Sequence, residues 1–498
     1  MTCQISLPQL GQVLSCDSGA NLYQLLAAEG LLDAPCGGNG TCGKCGVIIG
    51  GVEQLACAYR VESDITVLLP QQTQVESIVA NGYMKPFTPD PWPPDSYGIA
   101  IDIGTTTVVA TLYELAAARE IASLACLNSQ KAFGQDVISR INHAATHAQG
   151  TAQLQALITA DLARLAAGLL AEAKLSASAV QLVTVAGNTA MIHLLAGVNP
   201  SCLGTAPYRP AFRGARQLLA GELHLPLAAQ CPVYCLPAIS AFVGGDITAG
   251  LIACNIAQQS GNTLFIDIGT NGEMVLASGG RMYCCSCAAG PALEGMSISC
   301  GMRAASGAVE AVHIEAGAIT CETIGAVAPA GICGSGLLSA ITELRQAGVI
   351  DARGRLTKHP LVEVVAGKKQ VPLADGVCLT QGDIRQVQLA KGAILSGALT
   401  LVEAAGLSIG QLDRVIVAGQ FGLHLPATSL TGSGLLPQVW LEKISYAGNT
   451  AKSGAAVCLL SKAERQHGEQ LAAEVAYIEL STLAGYEQRF IDCLGFGE

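Results

Sequence analysis

Ile101-Asp102-Ile103-Gly104-Thr105 recurs without change as Ile266-Asp267-Ile268-Gly269-Thr270, and the reading of this pair decides the fold. Around the first copy, Gly98-Ile-Ala-Ile-Asp-Ile-Gly-Thr-Thr-Thr-Val-Val-Ala-Thr-Leu puts strand-forming residues on both sides of a Gly-Thr turn. Around the second, Leu264-Phe-Ile-Asp-Ile-Gly-Thr-Asn-Gly-Glu-Met-Val-Leu does the same, so both read as β-hairpins. Glycine at the turn lets backbone N–H groups approach an anion, and the hydroxyls of Thr105, Thr106, Thr107 and Thr270 add donors. Gly104 with its three threonines, and Gly269 with Thr270 and Asn271, are therefore candidate phosphate cradles. An aspartate at the strand end, Asp102 or Asp267, can hold a hydrated Mg2+ or orient a water.

A second phrase alternates with the first. Val183-Thr-Val-Ala-Gly-Asn188 follows one hairpin and Val415-Ile-Val-Ala-Gly-Gln420 follows the other. Such duplication predicts two similar α/β lobes facing each other, with both hairpins pointing into the cleft between them. The arrangement resembles the superfamily of actin, heat-shock chaperones and sugar and acetate kinases, whose lobes are ribonuclease H-like. By that resemblance the hairpins grip the phosphates of ATP. Residues 415–422, with Gly419, Gln420, Phe421 and Gly422, then form the adenosine-side loop.

A length of 498 residues is ample for several domains. The charge-free region 225–245 is interrupted by Pro226, Pro232 and Pro237 and would make a poor membrane span. The first residues lack the basic segment and apolar run of a signal peptide, so a cytoplasmic protein is expected. With 27 Lys and Arg against 38 Asp and Glu, the net charge of −11 offers no basic stripe for a nucleic acid.

The 20 cysteines, with no export signal, argue for metal or redox chemistry before disulfides. Asp33-Ala-Pro-Cys36-Gly-Gly-Asn-Gly-Thr-Cys42-Gly-Lys-Cys45-Gly is followed by Cys57. Three thiolates on a glycine-rich loop, with a fourth farther on, can wrap an inorganic core while N–H groups point at the sulfurs. Zinc is the competing metal, but its sites usually come as paired Cys-x2-Cys or Cys/His ligands. Upstream, 1–8 and 12–16 read as a hairpin and 18–30 as an amphipathic helix. Residues 1–69 resemble a plant- or adrenodoxin-like 2Fe-2S ferredoxin of α+β (β-grasp) fold, which makes Cys36, Cys42, Cys45 and Cys57 the cluster ligands. Cys3 and Cys16 lie outside that pattern and read as packing residues.

Pro86, Pro89, Pro91, Pro93 and Pro94 mark residues 70–97 as a semi-rigid linker, able to span about 90 Å at ~3.1 Å per residue. The expected order is thus a ferredoxin domain (1–69), the linker (70–97), a first ATPase lobe (98–250) and a second (251–498). Ahead of the second hairpin, Gly244-Gly-Asp246-Ile-Thr-Ala-Gly250 leaves two roles open for Asp246: a water-orienting base in the cleft, or a cap for the helix that follows. Gly331-Ile-Cys-Gly334-Ser335-Gly336 opens a helix and reads either as a tight turn or as a site where N–H groups receive a phosphate or ribose. Cys284, Cys285, Cys287 and Cys300 stand close enough in sequence to hold a second cluster, but no glycine-rich cage surrounds them and buried free thiols are the safer reading.

Together with Leu379-Thr-Gln-Gly-Asp383 and Gly434-Leu-Leu-Pro437, these phrases resemble one family across nearly the whole chain. It is that of ATP-dependent reductive activators of corrinoid proteins, which fuse a 2Fe-2S ferredoxin to an actin-like ATPase. The resemblance implies a corrinoid protein or corrinoid-dependent methyltransferase as partner, an upstream electron donor, a possible homodimer, and no nucleic acid or membrane. It also implies an uphill step, Co(II) to Co(I), from a cluster near about −400 mV, where ~59 mV of mismatch costs tenfold. ATP would supply the difference. The alternatives are an actin-fold ATPase serving another low-potential enzyme such as a 2-hydroxyacyl-CoA dehydratase, or a small-molecule kinase fused to a ferredoxin.

Overall fold

The computed structural model describes residues 2–9, 12–28, 31–32, 45–69, 82–419 and 425–497. At the N-terminus, β1 (Thr2–Leu7) and β2 (Gln12–Asp17) form the expected hairpin, with Cys3 opposite Cys16. They are followed by β3 (Ala20–Asn21), α1 (Leu22–Ala28), β4 (Gly46–Ile49), β5 (Val52–Leu55), β6 (Arg60–Val61) and β7 (Ile65–Leu68). The sheet order is β2-β1-β7-β4-β5, with first and last strands parallel at its centre. Ile5, Leu7, Leu22, Leu26, Val47 and Val67 fill the core beneath it, and Cys3 and Cys16 are buried there as packing residues.

The helix is shorter than the expected 18–30. Asn21, not Ser18, starts it by accepting the Gln24 N–H at 3.1 Å. Ala20 and Asn21 instead pair with β6, because a strand partner was available for residues that composition alone assigns to the helix.

The proline-rich stretch departs from a free spacer in its second half. Tyr83, Lys85 and Asp90 donate their N–H groups to the carbonyls of Ala447, Ala253 and Leu460 at 2.6, 2.9 and 2.8 Å. Lys85 also forms an ion pair with Glu464 at 2.8 Å, and Met84, Phe87 and Trp92 pack on the apolar cluster below. Prolines keep this stretch extended, yet the residues before and between them carry the donors and apolar surface that strap it down. The reach of about 90 Å that the whole of 70–97 would have as a loose chain is therefore not available to residues 82–96.

Two similar lobes follow. The first comprises β8 (Tyr97–Ile103), β9 (Thr107–Glu114), β10 (Arg119–Leu127), α2 (Val137–Thr146), α3 (Gly150–Ala173), β11 (Val180–Gly187), α4 (Thr189–Leu195), β12 (Arg216–Leu219), β13 (Pro232–Cys235) and α5 (Gly245–Ala253). The second opens with β14 (Thr263–Ile268), β15 (Gly272–Ser278) and β16 (Arg281–Cys287). Then come β17 (Ala308–Glu315), β18 (Ala318–Thr323), β19 (Gly331–Ile332), α6 (Gly334–Gln346), β20 (Glu363–Val365), β21 (Lys368–Ala374), β22 (Val377–Thr380) and α7 (Gln381–Ala404). It closes with β23 (Arg414–Ala418), α8 (Ala427–Gly432), β24 (Ile444–Gly448), α9 (Thr450–Leu460), α10 (Lys462–Glu474), β25 (Ala476–Tyr477) and α11 (Tyr486–Asp492).

The sheets run β10-β9-β8-β11-β13-β12 and β24-β23-β14-β15-β16-β25. In each, three antiparallel strands are followed by two that run parallel to the first, which is the ribonuclease H-like order expected of a duplicated actin-like fold. The register repeats as well: Ala186 of one Val-Ala-Gly phrase pairs with Asp102, and Ala418 of the other with Asp267.

Helices α5 and α9 lie between the two sheets, in one apolar cluster that contains Ala100 and Leu182 of the first and Phe265 and Ile416 of the second. Their backbones touch, since a Cβ on Gly454 would fall 2.0 Å from the Ala249 carbonyl. Among the described residues the helices long and apolar enough to span a membrane are α3 and α7, which pack against β9 and β10 and against β15 and β16. Alternation along β16 sends Cys285 and Cys287 into the outer core of the second lobe and Cys284 into the core between the lobes. These three cysteines are buried free thiols that cannot close on one ion.

Candidate active site

Both repeated hairpins form. In the first, the Gly104 N–H donates to the Thr107 carbonyl at 2.9 Å, so tightly that a Cβ on Gly104 would lie 2.7 Å from that oxygen. Side chains from elsewhere in the lobe lock the turn. Asn128 donates to the Gly104 carbonyl at 2.9 Å, Arg140 to the Thr105 carbonyl at 2.6 Å, and Asn188 to the Thr105 hydroxyl at 3.2 Å. Burial lowers the Arg140 guanidinium to about 10, and it also donates to the Gly134 carbonyl at 2.9 Å. The Asn188 oxygen meanwhile caps α4.

In the second hairpin the Gly269 N–H donates to the Asn271 carbonyl at 2.9 Å, and the Thr270 hydroxyl donates to Glu294 at 2.5 Å. Gly419 closes on this hairpin with φ of +90°, where a Cβ would lie 2.8 Å from both Asp267 Oδ1 and the Ile268 carbonyl.

Asp102, Asp246 and Asp267 come together between the lobes. Each is enclosed by protein while part of its surface opens to the cleft, and each carboxyl titrates high. Burial comes first for all three, and Asp102 and Asp267 are pushed up to about 7. For Asp102 a hydrogen bond from Asn449 at 3.0 Å opposes the burial and the charge of Asp246 adds to it. For Asp267 the charges of Asp246 and Asp102 add further. Asp246 is raised to about 6 and accepts the Ile247 N–H at 2.9 Å. The cap of α5 is Gly244, so Asp246 is not the capping residue; its carboxylate belongs to the acidic cluster.

A fourth acid, Glu273, went unrecognised in the sequence. It stands directly across the strand pair from Asp267, and burial followed by the charges of Asp246 and Asp267 raises it well above the carboxylate range. The available signal was a carboxylate in the apolar run Gly272-Glu-Met-Val-Leu. Arg140, Asn128, Asn449, Glu294 and Arg303 were likewise not singled out. Met296 and Arg303 of the second lobe line one pocket with Thr105, Thr106, Lys131, Gln135 and Arg140 of the first, so the turn of the first hairpin faces the opposite lobe.

The glycine-rich start of α6 has a packing explanation. A Cβ on Gly336 would fall 2.0 Å from the Val309 carbonyl of β17, and the Ser335 hydroxyl lies 3.2 Å from the Cys333 sulfur. Gly334 opens the helix after Cys333. Gln420, Phe421 and Gly422 lie outside the described residues, as do Cys36 and Cys42. Cys45 and Cys57 are brought together: the Cys57 N–H points at the Cys45 sulfur at 3.5 Å, and the Ala56 N–H donates to the Cys45 carbonyl at 2.8 Å.

Two family profiles cover this architecture. Residues 97–259 match the RACo middle region, and residues 261–497 match the C-terminal domain of RACo, the ASKHA domain. The chain is 34% identical over 422 residues to the corrinoid activation enzyme RamQ of Eubacterium limosum, covering 81% of this chain and 70% of that protein. It is 26% identical over 412 residues to the [Co(II) methylated amine-specific corrinoid protein] reductase of Methanosarcina barkeri, covering 76% and 73%. The solved structure of a reductive activator for corrinoid, iron-sulfur protein superposes with a TM-score of 0.73 at 28% identity, covering 99% and 98% of the two chains.

Proposed function

Since the chain belongs to the family of reductive activators of corrinoid proteins, we propose that it hydrolyses ATP between its two lobes to drive the one-electron reduction of a corrinoid protein from Co(II) to Co(I). The observation that carries this reading is the convergence of Asp102, Asp246 and Asp267 from the duplicated lobes in a chain of this kinship. Kinship extends across both lobes, which favours corrinoid activation over the sugar-kinase and dehydratase-activator alternatives.

ATP is the substrate of the cleft. The turns at Gly104–Thr107 and Gly269–Asn271 present N–H groups and hydroxyls to its phosphates from opposite sides. Three aspartates whose pKa values are raised by burial first form a donor set that fits a divalent cation, and Mg2+ would neutralise them together with the phosphates. Asp246, whose charge is felt by both Asp102 and Asp267, is placed to orient an attacking water or to accept its proton. Closure of the lobes about α5 and α9 would exclude bulk water, and reopening would release the products.

The N-terminal sheet is read as a 2Fe-2S ferredoxin of β-grasp fold. The fit rests on Cys45, whose sulfur already receives the Cys57 N–H, the kind of donor that stabilises thiolates around a cluster. Cys36 and Cys42 complete the ligand set in this reading. The cluster supplies a single electron at low potential. Burial of Cys45 at the head of β4 keeps water from that ligand.

The test mixes reduced full-length protein, a Co(II) corrinoid protein and nucleotide without oxygen, and follows the Co(I) absorption. The expected result is Co(I) only with hydrolysable ATP. Equal yields with and without ATP would refute the coupling.

A further inference from the structure

Cys300 was grouped by sequence with the cysteines of β16, but its neighbour in space is a different thiol. It sits in the segment between the short turn at Pro291–Glu294 and β17, while Cys378 lies in β22. Their sulfurs are 3.8 Å apart and both residues are partly exposed. The Cys378 N–H points at the Cys300 sulfur at 3.4 Å. Cys300 also faces the Gly376 carbonyl at 3.7 Å, and Cys378 the Gln370 side-chain oxygen at 3.6 Å.

The backbones on both sides are pinned to one anchor. Asp383 of α7 accepts the Ser299 N–H at 2.7 Å, and its other oxygen accepts the N–H and hydroxyl of Thr380 at 2.8 and 2.7 Å. Cys300 follows Ser299 directly, and Cys378 precedes Thr380 by two. The two thiols are therefore held beside each other by a carboxylate that belongs to neither. A disulfide needs an S–S distance of about 2.05 Å, a closure that side-chain rotation supplies when the backbones are already neighbours.

We propose that Cys300 and Cys378 are a redox modification site, forming a reversible disulfide with a low-molecular-weight disulfide as oxidant. The Cys300 thiolate attacks the external disulfide, forming a mixed disulfide and expelling one thiolate. Cys378 then gives up its proton to solvent and attacks the Cys300 sulfur, expelling the second. Two protein thiols are oxidised and one external disulfide becomes two thiols. Cys378 acts second, because burial and the neighbouring Cys300 raise its thiol to about 11 and leave little thiolate.

The segment that would be tied carries Met296 and Arg303 to the pocket facing Thr105 and Thr106. A covalent tie at Cys300 fastens this segment to β22 and so stiffens the second-lobe wall of the cleft. That consequence rests on the nucleotide reading of the cleft; the disulfide itself does not.

The experiment incubates the full-length reduced protein anaerobically with oxidised glutathione, alkylates the remaining thiols, and maps the peptides by mass spectrometry. Mapping is needed because the chain has 20 cysteines. The expected result is a linked pair of peptides containing Cys300 and Cys378, released by dithiothreitol, with ATP hydrolysis slowed several-fold and restored on reduction. In Cys378→Ser the adduct should stop at glutathione on Cys300 with hydrolysis unchanged, and in Cys300→Ser the linked peptides should be missing. Alkylation of both thiols after treatment, or a stable glutathione adduct on Cys300 of the unmutated chain, would overturn the site. Linked peptides with unaltered hydrolysis would overturn its grip on the cleft. A reduced protein without ATPase activity would instead refute the nucleotide reading, and the linked peptides would still decide the site.

Discussion

The two hairpins share a backbone and differ in what surrounds it. The turn of the first spans from Ile103 to Val108, that of the second from Ile268 to Gly272, one residue shorter. The missing residue shifts the strand pairing by one. Asp102 consequently stands opposite Val109, while Asp267 stands opposite Glu273. Successive side chains on a strand face opposite ways, so this single deletion turns an acid toward the cleft that would otherwise point away. The first hairpin is held by amide and guanidinium donors, Asn128, Arg140 and Asn188, whereas the second is crowded by acids. Both copies keep the turn, and the register gives them different electrostatics.

The largest test of this contrast is hydrolysis. Asp102→Asn and Asp267→Asn should each lower the ATP turnover by roughly 100-fold or more, the scale on which loss of one preorganised charged group acts. The fall should be greater for Asp267→Asn, because Asn449 can hold an amide at position 102 as it holds the carboxylate. Steady-state phosphate release measures both, and equal turnover in both variants and the unmutated chain would make the hairpins structural turns. The cysteine-rich N-terminal part should keep its visible spectrum in either variant.

A smaller contrast lies in the glycines that end the Val-Ala-Gly phrases. Gly419 has φ of +90° and would press a Cβ onto Asp267, whereas a Cβ on Gly187 would meet the Ile103 carbonyl at 3.0 Å without that backbone strain. Gly419→Ala should therefore cost about 2–3 kcal/mol and Gly187→Ala about 1 kcal/mol. Urea unfolding monitored by circular dichroism gives both, and the reverse order would remove the assigned asymmetry.

Acidity offers a finer comparison. Asp102 and Asp267 both stand at about 7 against an ordinary 3.8, so without nucleotide the folded state binds protons that the unfolded chain releases. The cost of ionising them is fully present above pH 7 and is relieved as pH falls from about 7 toward 4. The melting temperature should be higher at pH 6 than at pH 8, by an amount that shrinks in either Asn variant. Mg2+ with nucleotide should stabilise more at pH 8 than at pH 6. Because the acids titrate as a group, the two single variants should flatten the slope by similar amounts.

The smallest effect is expected from Glu273→Gln. Burial and the charges of Asp246 and Asp267 favour the protonated form of Glu273, which glutamine resembles in shape and charge. Turnover should stay within about threefold of the unmutated chain. A loss as deep as that of Asp267→Asn would show that Glu273 works ionised.

What was legible in the sequence was what the chain says twice. The identical pentapeptides and the two Val-Ala-Gly phrases announced the lobes, and Asp102 and Asp267 with them, because buried strands and tight turns leave few alternatives for those residues. The corrinoid partner came from family resemblance. Glu273 escaped because its meaning depends on a one-residue register shift, which aligned letters conceal: in sequence it matches Val108. Arg140 and Asn128 escaped because a side chain that satisfies a distant carbonyl leaves no local pattern. The helix start at Ser18 was misjudged for a related reason, since Ala20 and Asn21 are claimed by β6, forty residues downstream in sequence order. Likewise the prolines near residue 90 advertised extension, while the bonds to Ala253, Ala447 and Leu460 that anchor the stretch belong to partners far along the chain.

That anchored stretch also decides where the tether to the N-terminal part takes its origin. Among the described residues its fastenings include the ends of α5 and α9, which lie between the sheets, the start of α10, and Ala447 of β24. If the lobes swing about that layer, the mooring stands near the axle, where displacement is least. Residues 82–96 would then hold their place with the jaws open or shut, and the ATP cycle would reach a docked corrinoid protein through the moving lobes rather than through this stretch.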